Sequence, residues 1–520
     1  MLIKVGSTAN LGLETIKVDV EVNLASRGLP GFDIVGLPDK AVDESKERVR
    51  AAILSSNINF PAKKITVNLA PADIPKEGSL YDLPIAVGIL NSILQFQIPD
   101  KSLFLGELSF DGSLRHTKGA LLTALFAKEY GFSNLFVPKD SANEASSIKG
   151  VIVFPIENLT QLAGYFLKRK NIEPVVYKEI LNEPLVSAEF DMKEVLGQEQ
   201  AKRAMEIAAA GGHNIIMVGS PGSGKTMLAR ALPGILPPLS EIESLEVTKI
   251  YSSAGNIPAG GSLITRRQFR APHHTASLAG LIGGGSKPHP GEISLAHRGV
   301  LFLDEFSEFP RYVLEAMRQP LEDGHLTISR SKQRITYPAD FMLVASANPC
   351  PCGYFNHHKK NCVCAMSQIR KYQKRISGPI LDRIDLHVAI APVDTIEFED
   401  NQKKSQIIES SEAIKQRVVL ARQKQEKRFS ALGGFAPSGE KAIQSNSQMK
   451  NIHIKKYCKL EKDVENILRQ ASIKFQLSAR SYMKMIKVAR TIADLEGAKE
   501  IAISHMAEAL QYKSKIYESA

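Results

Sequence analysis

The stretch Asn214-Ile215-Ile216-Met217-Val218-Gly219-Ser220-Pro221-Gly222-Ser223-Gly224-Lys225-Thr226 decides how this chain is read. Its apolar start predicts a strand over residues 214–218. The strand runs into G-x-x-x-x-G-K-[ST], a phosphate-binding loop. Glycines let backbone N–H groups close around phosphate oxygens. Lys225 supplies charge for the β- and γ-phosphates, and the Thr226 hydroxyl is a Mg²⁺ ligand. A helix expected over residues 227–232 points its positive end at the same place. ATP is therefore expected on Gly219, Ser220, Pro221, Gly222, Ser223, Gly224, Lys225 and Thr226.

Downstream, Val300-Leu301-Phe302-Leu303-Asp304-Glu305 is an apolar run ending in two carboxylates. Asp304 is placed to hold Mg²⁺ and Glu305 to polarise the attacking water. The run at residues 341–345 leads to Asn348, whose amide can reach the γ-phosphate. Arg383 precedes a fourth run, residues 386–390, and Arg480 opens a C-terminal helix. Each is a candidate for neutralising charge on a transferring phosphoryl group. On residue type alone, a surface ion pair is the commoner fate of such an arginine.

Working outward, the four runs alternate with helical patterns between residues 191 and 394, which predicts a mostly parallel sheet covered on both faces. Residues 1–165 read as a separate α/β domain, with strand-like alternation at 18–24 and 64–69 and a helix at 83–94. A linker is expected in 166–190, where residues 171–185 are polar and proline-punctuated. Residues 395–520 read as helical: a basic amphipathic stretch at 407–428, a loop-like one at 431–447, and helical periodicity over 460–512.

The chain has 520 residues, more than one hydrophobic core usually holds, which fits this division. Its net charge of +11 favours a polyanionic partner, although dispersed lysines also simply solvate a surface. The sequence contains no run of 18 apolar residues, so no membrane span is expected. Met1 to Asn10 lacks a charged-then-apolar leader pattern, and the cytoplasm is the expected compartment. Four of the five cysteines, Cys350, Cys352, Cys362 and Cys364, form C-x-C…C-x-C with nine residues between the pairs. Four thiolates can make a tetrahedral structural Zn²⁺ site; the other reading is a reduced cysteine-rich loop.

Three segments are far more specific than the phosphate loop: Phe269-Arg270-Ala271-Pro272-His273-His274-Thr275, Pro290-Gly291-Glu292-Ile293-Ser294-Leu295-Ala296-His297, and Gly299 through Phe306. With them, nearly the whole chain resembles the ComM/YifB group of magnesium-chelatase-like AAA+ ATPases. The resemblance implies that Asn348 is the sensor 1 residue and Arg480 the sensor 2 residue. It makes Arg383 the arginine finger acting on a neighbouring subunit's nucleotide, hence a ring, with a hexamer expected. His273 and His274 are expected to have structural or substrate-contact roles, in an insertion after the second helix of the core.

The group is also similar to ring helicases with a hairpin before sensor 1, here residues 325–340. Arg330 and Lys332 at its basic tip, with Arg334 opening the second strand, would grip DNA backbone phosphates in a pore. The implied activity is branch migration during natural transformation and recombination, on single-stranded or branched DNA. The alternative is a protein-remodelling ATPase. Such machines usually carry an aromatic-apolar pore loop, and residues 241–252 offer only Tyr251. The family name does not carry a porphyrin with it, and no porphyrin is expected.

Residues 20–140 resemble the proteolytic domain of Lon-type proteases. That chemistry needs a serine activated by a lysine. Here Leu80 and Leu121 stand at those positions, with Ser79 and Lys118 displaced along the chain, so no peptidase activity is expected. The expected fold is thus α/β: a Lon-protease-like (ribosomal S5 domain 2-like) N-terminal domain lacking the protease dyad, an AAA+ P-loop module, and a C-terminal helical lid.

Overall fold

A computed structural model describes residues 2–25, 29–177, 189–285, 289–329, 334–392, 409–430 and 443–513. Its centre is a five-stranded, wholly parallel sheet. In order across the sheet the strands are Phe269–Arg270, Val300–Leu303, Met342–Ala347, Ile215–Gly219 and Leu386–Ile390. Four of them are the apolar runs read from the sequence. The three inner strands are buried along their whole length, which is why they read as unbroken apolar runs rather than as alternation.

Alternation survives in which face each residue serves. Ile215, Met217, Phe302 and Val344 pack on one face with the helix Glu199–Gly211 and with the C-terminal residues Val464, Leu468, Ile492 and Met506. Ile216, Val218, Leu301 and Leu343 pack on the other with Phe306, Val313, Leu326 and Tyr337. The C-terminal helices therefore share a core with the sheet.

The fifth strand, Phe269–Arg270, corrects the expectation for its segment. Residues 269–275 begin inside the sheet, paired with Val300 and Leu301. The inserted ribbon comes later, pairing Gly283–Gly284 with His289–Pro290. A two-residue strand is too short to show a period, so only tertiary pairing reveals it. Arg270 grips Glu292 in a bidentate pair at 2.6 and 2.7 Å, joining two of the three segments singled out above.

The N-terminal region holds a four-stranded sheet in the order Leu2–Leu11, Glu14–Leu24, Lys64–Ala70, Gly31–Val35. A three-stranded parallel sheet follows, formed by Ser102–Phe104, Asn134–Pro138 and Ile152–Ile156. The apolar helix Asp82–Leu94 is buried along most of its length. Ser79 donates to the Glu107 carboxylate, and Leu121 is fully buried in the helix Ala120–Tyr130. The region is latched to the central one through Glu144, whose Oε1 accepts from Ser252 Oγ at 2.5 Å and from the Leu121 N–H at 3.0 Å.

Residues 171–177 lie outside any helix or strand, apart from one bridge between Val175 and Val153. Residues 178–188 of the expected linker, most of the expected loop at 431–447, and residues 393–408 fall outside the described residues. The basic stretch forms the helix Ser411–Ser430, and the C-terminal periodicity resolves into Lys462–Lys474, Ala479–Glu496 and Ile503–Gln511. No helix among the described residues is long and apolar enough to cross a membrane.

Candidate nucleotide and metal sites

The phosphate loop leaves the strand Ile215–Gly219 and enters the helix Lys225–Ala231. Gly222 and Gly224 sit at φ +77° and +88°, a left-handed conformation that side-chain-bearing residues rarely adopt, so the loop can turn its N–H groups inward. Lys225 folds back over it. Its Nζ donates to the carbonyls of Gly219 and Ser220, each at 2.8 Å, and to Asn348 Oδ1 at 3.4 Å. Burial pushes this ammonium down to about 8, against the pull of the Asp304 carboxylate.

Asp304 collects hydroxyls. Thr226 Oγ1 donates to its Oδ2 at 3.0 Å, and Ser346 donates to its Oδ1. The Glu305 N–H also reaches Oδ1, at 3.0 Å. Glu305 itself takes φ +50°, uncommon for a non-glycine residue and of the kind that gathers at functional sites. Its half-exposed carboxylate meets His274 Nδ1 at 3.1 Å. His274 is held between the ring of His273, 4.1 Å away centroid to centroid, and the edge of Phe309. Sequence reasoning left His274 without a partner: 31 positions separate it from Glu305, and only the parallel pairing of their strands brings the two together.

Lys225, Thr226, Asp304, Glu305 and Asn348 thus converge at the carboxyl ends of three adjacent strands. The two arginines lie elsewhere. Arg383 donates to the Pro379 carbonyl at 2.7 Å and to one oxygen of Glu322, and Arg480 meets the other oxygen at 3.1 Å. Neither pairs with the phosphate loop among the described residues. The two guanidiniums, Arg383 foremost, hold the Glu322 carboxyl below the usual carboxylate range. Arg480 opens the helix Ala479–Glu496 behind an Ser478 cap, and Lys484 and Thr491 of that helix enter a buried network. There Asp385 meets Lys484 Nζ at 3.0 Å and His213 Nδ1 at 3.1 Å, while His213 Nε2 meets Thr491 at 2.8 Å. The carboxyl of Asp385 stays well below its usual range because Lys484 and His213 outweigh its burial.

The expected hairpin forms from His325–Ser329 and Arg334–Pro338. Its side leans on the N-terminal region: a Cβ placed on Gly12 would lie 2.5 Å from Ile335 Cγ2. Arg334 is exposed at the start of the second strand, whereas Arg330 and Lys332 fall outside the described residues. Tyr251 is buried in the helix Glu241–Ala254, its hydroxyl donating to the Leu295 carbonyl at 3.0 Å.

The ligand atoms of Cys350, Cys352, Cys362 and Cys364 all lie within 4.8 Å of one another. No histidine joins this set; His357 Nδ1 accepts instead from the N–H groups of Lys359 and Lys360.

Comparison with known proteins covers the same ground. The family described as magnesium chelatase, subunit ChlI, matches residues 191–398. The descriptions subunit ChlI of Mg-chelatase and subunit ChlI C-terminal match residues 20–141 and 408–513. The chain is 41% identical to the uncharacterized protein YifB of Escherichia coli strain K12 over 98% of its own length and 96% of that protein's. It is 40% identical to the competence protein ComM of Haemophilus influenzae, over 98% and 97% of the two chains. To the magnesium-chelatase 38 kDa subunit of Rhodobacter capsulatus it is 27% identical, over 31% of this chain and 50% of that one.

Proposed function

We infer that this chain, which belongs to the ComM/YifB family of magnesium-chelatase-like proteins, is an ATP-hydrolysing ring motor that acts on DNA, with branch migration during recombination as its task. The observation that carries the ATPase reading is the convergence of Lys225, Thr226, Asp304, Glu305 and Asn348 on one set of strand ends. In open α/β sheets ligands bind outside the carboxyl ends of the strands.

Thr226 and Asp304 offer the hard oxygen donors, hydroxyl and carboxylate, that Mg²⁺ takes. An ion held by them would neutralise negative charge on the phosphate oxygens. Lys225 holds the same oxygens from the loop side. Glu305 orients the attacking water, and Asn348 positions it against the γ-phosphate. Arg383 is the finger offered to a neighbouring subunit, which is why a ring, expected to be a hexamer, belongs to this reading. Arg480 joins it through Glu322. The four cysteines complete the cofactor reading, with zinc as the metal their thiolates suit.

Support for DNA as the substrate comes from the net charge of +11, the hairpin with exposed Arg334, and the competence-protein name of the Haemophilus influenzae relative. The burial of Tyr251 argues against its serving as a protein-gripping pore residue. On this reading the N-terminal region is a Lon-like fold without peptidase activity, and the protein works in the cytoplasm.

The test is ATP hydrolysis by the full chain, alone and with single-stranded or four-way-junction DNA. An Arg330→Ala, Lys332→Ala double variant is measured in parallel. DNA should stimulate hydrolysis at least several-fold, and the double variant should lose that stimulation while keeping its basal rate. Hydrolysis indifferent to DNA would keep the ATPase and replace the DNA motor by the protein-remodelling alternative.

A further inference from the structure

The cysteine loop begins two residues after Asn348 and returns to the phosphate loop. Gly353 N–H donates to the Cys350 carbonyl at 2.9 Å, closing a tight turn over Cys350-Pro351-Cys352-Gly353. Gly353 sits at φ +82° and lies directly against Pro221; a Cβ there would come within 2.5 Å of Pro221 Cδ and 2.7 Å of its Cγ. At the other end of the same short segment, Asn348 accepts from Lys225. The segment 348–353 therefore touches the phosphate loop at two points, Lys225 and Pro221.

What shapes this segment is the cluster of sulfurs. Cys350 Sγ lies 3.4 Å from Cys352 Sγ and 3.7 Å from Cys362 Sγ, and Cys352 and Cys362 are 3.5 Å apart. Four thiolates around one zinc at about 2.3 Å stand about 3.8 Å from one another, so these spacings fit a tetrahedral metal centre. They are well beyond the bond of about 2.05 Å that a disulfide needs, and all four cysteines are free. Backbone N–H groups point at the sulfurs: Phe355 N–H reaches Cys350 Sγ at 3.3 Å, and those of Tyr354 and Val363 face Cys352. Donors so placed stabilise negative sulfur, the form that ligates metal. The loop has almost no apolar interior of its own, for Val363 is exposed and only Cys350 of the four ligands is buried.

We propose that zinc held by Cys350, Cys352, Cys362 and Cys364 clamps this loop onto Pro221 and Lys225, so that the metal sets the shape of the phosphate loop and with it the affinity for ATP. The clamp rests on the reading of Gly219–Thr226 as an ATP site. Without the metal, the turn that carries Gly353 is left to its backbone bond to Cys350 and to the Gln373 amide on the Pro349 carbonyl, and the phosphate loop loses the rest of a wall.

The experiment uses the full chain, purified without a histidine tag. Metal content is measured by atomic emission, and the Kd of a fluorescent ATP analogue is measured with Mg²⁺ before and after zinc is stripped by a chelator. One zinc per chain is expected, and stripping should raise Kd roughly tenfold, reversed by added zinc. Cys352→Ser with Cys362→Ser should show the weak binding from the outset and gain nothing from zinc. Gly353→Ala, which keeps all four thiols, should hold its zinc yet bind ATP several-fold more weakly. Pro221→Ala should bind somewhat less tightly, with a Kd that stripping changes by less than about twofold.

Zinc-free protein removes the metal. Zinc-loaded protein whose Kd is unchanged by stripping and by Gly353→Ala removes the clamp while leaving the nucleotide site standing. Zinc-loaded wild type with no more affinity for ATP than Lys225→Ala overturns the nucleotide site, and the clamp with it.

Discussion

The two ends of the central sheet are built on opposite plans. At the amino ends, Arg267, Arg298 and His297 lie against anions, while the partly buried Arg422 beside them donates to the Ala209 carbonyl. Arg267 meets Glu243 at 3.0 Å; Arg298 meets Glu246 and Asp340, each at 2.9 Å; His297 donates to Glu246 while its other nitrogen accepts from the Asp340 N–H. Burial opposes charge on Glu246, yet His297 and Arg298 bring its carboxyl down to about 2. At the carboxyl ends, Lys225 rests on two carbonyls and an amide, Asp304 on two hydroxyls, and Glu305 on a histidine. One end sets Arg267, Arg298 and His297 against full counter-charges. The other keeps its charges on weak partners that a phosphate or a cation can outbid, because a group already satisfied by a full counter-charge gains little from a ligand.

Substitution at each end should therefore fail in a different currency. The largest effect is expected at the carboxyl end. Glu305→Gln should lower kcat for ATP hydrolysis by roughly a hundredfold to a thousandfold, with Kd for ATP within about threefold of wild type. A single-turnover assay beside a binding titration separates the two, and equal losses in both would erase the distinction between the ends. At the amino end, Arg298→Met removes the guanidinium shared by Glu246 and Asp340, both about one-third exposed, and leaves them to His297 and Gln448; it should cost about 2 kcal/mol of stability. Thermal melting reads this loss, while ATP affinity of the folded protein should hold. An unchanged melting temperature would mean that the network there is decorative.

The smallest effect sharpens the comparison by pH. Lys225 has its pKa lowered to about 8 by burial, and anionic phosphates favour its charged form. ATP affinity should be flat below about pH 8 and weaken above it, by up to roughly tenfold per pH unit, since binding takes up a proton there. The stability of the amino-end network should not change over that range, as Glu246 titrates near 2. A Kd independent of pH from 7 to 9.5 would place Lys225 outside the phosphate site.

What the sequence disclosed divides along the same line as local and non-local chemistry. The phosphate loop, the Asp304-Glu305 pair and Asn348 were legible because each sits at the end of an apolar run whose burial writes itself into composition. The hairpin strands were legible by alternation. Phe269–Arg270 was not, since two residues carry no period. The contacts that give the site its shape were also hidden: His274 to Glu305, Gly353 to Pro221 across 132 positions, and Glu322 between two arginines are products of sheet order and loop return, which no motif encodes. The cysteine spacing announced a cluster, but its place beside the phosphate loop followed only from the fold.

Glu322 has a consequence of its own. It is one carboxylate with two claimants, Arg383 from the loop before a sheet strand and Arg480 from the first turn of a C-terminal helix. If either arginine turns away towards a phosphate, the other inherits both oxygens. The two guanidiniums therefore do not count as two independent votes. They behave like a pair of scales on one pivot, through which the sheet and the C-terminal helices each feel what the other is holding.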